Sequence, residues 1–142
     1  MAERFRRVVF AMEATFPDAM VSGFEVLEGT LGCADPQDEH VLAAAIKAQA
    51  AAVVTANVKD FPADAFERFG IEVLHPDALL MSQAELTPNL VLTSLAEMQS
   101  SFSRPSLKAA EIAAALRRSG CDEFARFLAD RTGEINGLAT RF

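Results

Sequence analysis

The fold is decided by residues 35–60, which read DPQDEHVLAAAIKAQAAAVVTANVKD. Asp35 as N-cap, Pro36 at the first helical position and Asp38 in the first turn together predict the start of a helix. The helix is expected to run to about Gln49, and its apolar middle predicts that much of it is buried. The next segment, Ala51 to Thr55, reads as a buried strand.

A second strand is predicted after a short helix. Ala63 to Phe69 reads as the helix, and Gly70 closes it as the residue after its last turn. Ile71 to Leu74 reads as the strand, which His75-Pro76 ends. Because a strand–helix–strand unit implies a parallel pair with a right-handed crossover, the sequence indicates an α/β fold.

The predicted sheet has few strands for its type. Parallel sheets normally contain several strands and are covered on both faces, so two strands alone make a marginal sheet. A further strand is expected before residue 35, where the only candidate is the poor match Ala19-Met20-Val21. We therefore expect that the usual first strand of the sheet is lacking.

The N-terminal part predicts two helices. Ser22, with Glu25 three residues later, resembles a capping box that opens a short helix through Leu31. Before it, a longer helix is expected over residues 3–16, with one apolar face made of Phe5, Val8, Val9, Met12 and Phe16.

The C-terminal part predicts helices only. Proline, glycine and capping residues mark their ends. The expected helices are Pro76 to Met81, Thr87 to about Ser101, Ser106 to Ser119 with Gly120 after it, and a last one capped by Asp122.

Composition restricts the class of protein. Of the 142 residues 51% are apolar, so the chain can bury a core and disorder is not expected. The net charge of −7 counts against a plain DNA-binding module. It counts less against a metal nuclease, whose clustered carboxylates repel phosphate until a divalent cation bridges them. Without a signal-peptide pattern or a membrane-spanning stretch, and with two cysteines far apart, a cytoplasmic protein with reduced thiols is expected.

Three oxygen-bearing side chains are expected to meet at one edge of the sheet. The first helix of the unit and the strand after it are each about 20 Å long, and a tight turn joins them. They should therefore run antiparallel, which brings Asp38 close to Asn57 and Asp60 at the carboxyl edge of the sheet. Two carboxylates and an amide there suit Mg²⁺ or Mn²⁺, and a bound water would be placed to attack a phosphodiester.

The same side chains also have purely structural explanations. Asp35 and Asp38 can cap a helix and complement its dipole. Asn57 can satisfy a turn, and Asp60 can cap the helix that follows it. Spacing alone favours these explanations over a metal site and leaves both open.

Three stretches of the sequence resemble one branch of the PIN-domain family, the toxin-like ribonucleases related to the VapC toxins of toxin–antitoxin pairs. They are residues 35–46, 53–62 and 70–77, which read DPQDEHVLAAAI, VVTANVKDFP and GIEVLHPD. The resemblance implies a three-layer α/β/α PIN-like domain within residues 1–83. Residues 84–142 are then a C-terminal helical extension packed on that domain.

The resemblance also implies a chemistry. Members of the family bind one or two divalent cations in a ring of acidic residues and use water to cut RNA. By resemblance, Asp38 and Asp60 match acidic positions of that ring, and Asn57 matches the polar position after the strand. Thr55 matches the hydroxyl that orients the site. All four are therefore expected to be catalytic, with Asp38, Asn57 and Asp60 binding Mg²⁺ or Mn²⁺.

Only the C-terminal portion of a PIN domain is recognisable in this sequence. The family begins with a strand that ends in an aspartate, followed by a helix with a second acid, and neither is found here. We therefore expect an endoribonuclease that needs an N-terminal PIN segment for activity, which is either supplied on another chain or was lost in the definition of this one. An antitoxin and a second copy of the chain are further expected partners, and RNA is the expected substrate.

Two other functions stay open at the level of the sequence. Because half of the acidic ring is absent, the chain can be a degenerate PIN remnant that acts only as a protein-binding module. It can also be a small α/β module that binds a nucleotide or phosphate, although no glycine-rich loop supports that function.

Overall fold

A computed structural model of the chain describes residues 2–32, 36–61, 63–102 and 107–142. Within these ranges, the side chains of Ala2, Arg4, residues 36–38, Asp60 and Ala63 lie outside the description. The helices are α1 (Ala2–Thr15), α2 (Pro36–Lys47), α3 (Ala63–Glu67), α4 (Pro76–Leu86), α5 (Pro88–Ser101), α6 (Ala109–Arg118), α7 (Asp122–Ala129) and α8 (Thr132–Ala139). The strands are β1 (Ala52–Val54) and β2 (Glu72–Leu74), and short 3-10 turns cover Pro17–Ala19, Glu25–Leu27 and Val58–Asp60.

The chain divides into two compact units. Unit 1 contains Met1–Val53 and Lys59–Val73, and unit 2 contains Val54–Val58 and Leu74–Phe142. The expected domain boundary after residue 83 stays a prediction.

The core of unit 1 forms around α2. Leu42 and Phe66 are fully buried and pack in one cluster with Ala45, Ala65 and Ile71. The ring of Phe61 meets the Phe66 ring edge to face at 5.7 Å, an arrangement that aromatic pairs prefer. The prediction that much of α2 is buried is confirmed.

A left-handed residue ends α2 and starts the turn into β1. Gln49 has a φ of 52°, and the Ala50 N–H donates to the Ala45 carbonyl at 2.9 Å. This bond belongs to a helix terminus in which the residue after the cap adopts the left-handed conformation. The tight turn predicted between the helix and the strand is confirmed.

The two strands form a short parallel pair. The Glu72 N–H donates to the Ala51 carbonyl at 3.0 Å, and the Thr55 N–H donates to the Leu74 carbonyl at 2.9 Å. The expectation of a buried first strand is wrong, because Ala52 and Val53 are only partly buried and Val54 is 43% exposed. Strand side chains point to the faces of a sheet, so this exposure means that the face on which Val54 lies is not fully covered.

Two N-terminal predictions are also wrong. Residues 20–22 are not a strand, and Ala19 ends a 3-10 turn instead. The capping box predicted from Ser22 and Glu25 does not form, since Phe24 is the N-cap and makes no side-chain bond. The helix is reduced to a 3-10 turn because left-handed glycines, Gly23 and Gly29, stand on either side of it. The three-layer arrangement and the lacking first strand stay predictions.

The core of unit 2 is helical. It buries side chains from α4 to α8 in one cluster: Ala84, Leu92, Ala96, Ala109, Ile112, Ala113, Phe124, Leu128 and Ile135. Helices predicted here are confirmed in position, although α4 is longer than expected, and α8 was not predicted separately. The predicted start of α6 at Ser106 lies outside the described residues, and the helix is described from Ala109.

Helix α7 is capped by a residue from another helix. Asp122 was predicted as its cap, but it is the first helical residue, and the N-cap Cys121 makes no side-chain bond. The two carboxylate oxygens of Asp77 instead accept from the Glu123 and Phe124 N–H groups, both at 2.9 Å. The Asp77 N–H in turn donates to Nδ1 of His75 at 3.2 Å. Asp77 therefore connects the first turns of α4 and α7.

Replacing Asp77 should destabilise unit 2. In Asp77→Ala, two N–H groups of α7 lose charge-assisted bonds, and we expect the free energy of unfolding to fall by about 2 kcal/mol. Urea denaturation followed by circular dichroism measures the change. The control is Asp122→Ala, which removes a carboxylate from the same helix end but no such bond and should cost at most about 1 kcal/mol. Equal losses in the two variants would contradict the capping role.

The stability should also depend on pH through Cys121. Burial of its thiol raises its pKa above the ordinary value of 9.0, and the Asp77 and Asp122 carboxylates raise it further. The folded chain therefore holds this proton more strongly than the unfolded chain. Its contribution to stability is fully present below pH 9 and is lost as the pH rises through the raised value.

Denaturation between pH 8 and pH 11 tests this dependence, with slopes of up to about 1.4 kcal/mol per pH unit expected from one thiol. The chain contains no tyrosine, so no phenol titrates in that range. In Cys121→Ala the alkaline slope should become smaller. An unchanged slope would show that another group causes it.

Candidate metal-binding site

The first turn of α2 carries the candidate ligand Asp38. It is the third residue of the helix Pro36–Lys47, as the sequence predicted, but its side chain lies outside the description. Asp35, predicted as the N-cap, lies outside the described residues altogether. The predicted start of the helix is therefore confirmed along the sequence, whereas the placement of the Asp38 carboxylate at a metal site stays a prediction.

The exit of β1 places Thr55 and Asn57. Thr55 is partly buried and follows the last residue of the strand. Its Oγ1 accepts a hydrogen bond from the Asn57 N–H at 3.1 Å, which is the local turn that hydroxyl side chains form with the backbone two residues on. Asn57 is exposed. Thr55 therefore holds the backbone that carries Asn57, and the role of its hydroxyl in orienting a metal site stays a prediction.

Asp60 ends the 3-10 turn Val58–Asp60. Its side chain lies outside the description, so neither metal binding nor capping of α3 is tested for it. Phe61, the next residue, is anchored on Phe66 in the core of unit 1. The backbone around Asp60 is thereby attached to a packed core.

Sequence reasoning missed Glu39, the neighbour of Asp38. Glu39 is only 8% exposed, and its Oε1 accepts from the Leu31 N–H at 2.8 Å. The carbonyl of Leu31 accepts a hydrogen bond from Nη2 of Arg68 at 2.9 Å. These bonds attach the chain just before α2 to both α2 and the turn after α3. The signal in the sequence is that Glu39 shares a helix face with the buried residues Leu42 and Ala43.

A cavity of unit 1 does not coincide with the candidate ligands. It has a volume of about 310 Å³ and is lined by Ala45, Ile46, Gln49, Ala50, Phe69 and Ile71. These residues surround the C-terminal end of α2, whereas Asp38 lies in its first turn. The cavity is mostly apolar in its side chains and is not the predicted metal site.

Among the side chains that the structure describes, no three histidine, cysteine, aspartate or glutamate residues lie close enough to hold a metal ion. Two of the three predicted ligands, Asp38 and Asp60, are outside that search. The meeting of Asp38, Asn57 and Asp60 therefore stays a prediction.

In the described part of the chain, every helix is too short or too polar to cross a membrane.

Comparison with known families agrees with the resemblance seen in the sequence. A profile described as "PIN domain" matches residues 8–59, which include Asp38 and Asn57. A second profile, described as "VapC50 C-terminal domain", matches residues 76–130. No solved structure matches the chain significantly.

A curated relative is the Mycobacterium tuberculosis (strain H37Rv) protein named "Putative ribonuclease VapC50". It is 48% identical over 50 residues, a stretch that covers 35% of this chain and 30% of that protein. The chain thus spans less than a third of the length of this relative in the match. The two profiles lie one after the other along the sequence, and together with this identity they support a VapC-like PIN family for the chain.

Proposed function

We propose that the chain acts as a divalent-metal-dependent endoribonuclease and as the toxin of a toxin–antitoxin pair. The observation that carries the proposal is the turn at the exit of β1, where Thr55 holds Asn57 three residues before Asp60. The PIN profile covers this turn up to residue 59 together with the start of α2. The similarity to a relative named "Putative ribonuclease VapC50" supports the choice of RNA as the substrate.

The proposed ligands are Asp38, Asn57 and Asp60. Carboxylate and amide oxygens are the ligands that Mg²⁺ and Mn²⁺ take in proteins. When bound, the cation would supply an activated water and stabilise the negative charge that develops on the phosphodiester. In this proposal, Thr55 holds the backbone at Asn57, and the first turn of α2 presents Asp38 to the cation.

Glu39 is proposed as a positioning residue for this site. Its carboxylate is occupied by the Leu31 N–H, so it is not offered as a ligand. By holding the segment before α2, it limits the movement of the first helical turn. A catalytic group displaced by about 1 Å can cost on the order of 100-fold in rate.

We also propose that another PIN segment completes the sheet. The described sheet has two strands, and Val54 in β1 is 43% exposed. An unpaired strand edge is a template for a further strand. An N-terminal PIN segment would add both a strand and an aspartate, and an antitoxin is the proposed regulatory partner.

Removing the Asp38 carboxylate should weaken metal binding. In Asp38→Asn one of two charged ligands becomes neutral, and we expect the affinity for Mn²⁺ to fall at least about 10-fold, because hard cations favour carboxylate ligands. Titration calorimetry measures the isotherm. Asp64→Asn is the matched control, since Asp64 is an exposed carboxylate in the first turn of α3. An isotherm unchanged by Asp38→Asn would leave this residue with a capping role only.

Ribonuclease activity should depend on completion of the site. The purified chain is incubated with RNA and Mn²⁺, with and without a polypeptide made from the N-terminal part of the tuberculosis relative. We expect little cleavage by the chain alone, because a cation held by few anchors positions its water poorly. Cleavage should rise when the segment is added and should be lost in Asp38→Ala.

Two outcomes would change this proposal in different ways. Strong cleavage by the chain alone that Asp38→Ala abolishes would support the metal site and contradict the need for another segment. No cleavage in either condition would contradict the ribonuclease proposal and favour a PIN remnant that only binds a partner.

A further inference from the structure

The cavity of unit 1 has walls that suit a flat ring. Its volume of about 310 Å³ is at the lower end of the range for small-molecule sites, so it suits one ring system better than a larger molecule. Phe69 lines it and is 44% exposed, and Ala45, Ile46 and Ile71 add apolar wall. A flat ring that enters the cavity therefore meets an aromatic surface on which it can stack.

The cavity also has a polar part, because α2 ends beside it. Gln49 and Ala50 follow soon after Lys47, the last residue of the helix, and both line the cavity. Carbonyl groups at the C-terminal end of a helix carry a partial negative charge, which favours an occupant that donates N–H bonds and repels phosphate and carboxylate groups. The side-chain amide of Gln49 offers a carbonyl acceptor together with an NH₂ donor.

Gln49 has a backbone conformation that glycine adopts at lower cost. Its φ of 52° is the one positive value among the described residues other than glycine, and glycine is the usual residue in this conformation at a helix end. The turn into β1 thus requires a left-handed residue but not a long side chain. Strained residues of this kind concentrate at ligand sites, and a role for the amide in the cavity accounts for a glutamine here.

We propose that the cavity binds an adenine base of single-stranded RNA. The base stacks on Phe69, and the Gln49 amide pairs with the amino group and the Hoogsteen-edge nitrogen of adenine, the two-bond contact that asparagine and glutamine make with this base. Uracil presents two carbonyls and a single N–H, so it suits the end of a helix less well. The inference rests on the proposed function, because it takes RNA as the substrate.

The base site is remote from the proposed ligand Asp38. Helix α2 has 12 residues and is therefore about 18 Å long. The cavity lies at its C-terminal end, whereas Asp38 lies in its first turn. The bound base and the phosphodiester that is cut therefore belong to different nucleotides of one strand. The cavity selects the sequence of the RNA without touching the reacting atoms.

The charges near the lining residues along the chain are balanced. Lys47 and Arg68 are exposed cations, and Glu67 and Glu72 are exposed carboxylates. The Arg68 guanidinium lies 5.6 Å from the centroid of the Phe69 ring. Because attraction and repulsion of the phosphates offset each other, stacking and hydrogen bonds supply most of the affinity. Binding should therefore depend on the identity of the base.

Fluorescence anisotropy of labelled oligoadenylate and oligouridylate tests the proposal, with EDTA in the buffer. EDTA removes divalent cations, so the metal site does not contribute and the RNA is not cut. Oligoadenylate should bind at least about 5-fold more tightly, the lower limit for one two-bond base contact. Asp38→Ala should leave this preference unchanged. A failed ribonuclease assay together with an intact preference would count against the proposed catalysis and not against the base site.

Two variants separate the two contacts. Gln49→Gly removes the amide and should reduce the preference for adenine to within about 2-fold. Its thermal midpoint should not fall, because glycine adopts the left-handed conformation freely. Phe69→Ala removes the stacking ring and should weaken binding of both RNAs at least about 5-fold. Phe102→Ala is the matched control and should change neither affinity, since Phe102 is 41% exposed and belongs to unit 2.

Competition by AMP distinguishes RNA from a free nucleotide as the source of the adenine. AMP should displace the labelled oligoadenylate only at concentrations at least about 10-fold above those of unlabelled oligoadenylate, because the oligonucleotide offers several bases to one cavity. Equally effective displacement by AMP would overturn the RNA proposal in favour of a free nucleotide. Equal binding of the two RNAs would overturn the base site itself, as would oligoadenylate binding that Gln49→Gly and Phe69→Ala both leave unchanged.

Discussion

Burial of one face of α2 is the constraint on which the region around the candidate site depends. Leu42 and Ala43 are completely buried, and this fixes the rotation of the helix about its axis. The abrupt end of the helix follows, because the chain must leave for β1 at once. A glutamine takes the left-handed conformation there, although L residues with a side chain adopt it at some cost. Packing therefore outweighs the local preference of Gln49.

The sequence was most informative where apolar periodicity and helix-ending residues agreed. The starts of α2 at Pro36 and of α5 at Pro88 both follow from a proline in the first turn. The helix predicted around Glu25 is wrong, because the capping pattern alone does not account for the left-handed glycines beside it. The predicted burial of Val54 is wrong for a different reason. The burial of a strand depends on which other elements cover it, and its own residues do not determine that.

Of the candidate site, the sequence could identify the residues that lie near turns along the chain. The bond between Thr55 and Asn57 spans two residues and belongs to a known turn chemistry. Glu39 and Asp77 could not be assigned a role in the same way. Glu39 bonds to a residue eight positions before it, and Asp77 to residues 46 and 47 positions after it. Such pairings are set by tertiary packing, which local patterns do not report.

The bonds on either side of Leu31 have a consequence for how this sequence can vary. Its N–H is satisfied by Glu39 and its carbonyl by Arg68, so two side chains distant in sequence serve one short stretch of backbone. Loss of the glutamate alone would leave a partly buried donor without its acceptor, at a cost of roughly 1–3 kcal/mol. Related sequences should therefore keep a hydrogen-bond acceptor at position 39 and a donor at position 68. Position 31 should stay apolar, because the Leu31 side chain packs against the buried cluster that contains Leu42 and Phe66.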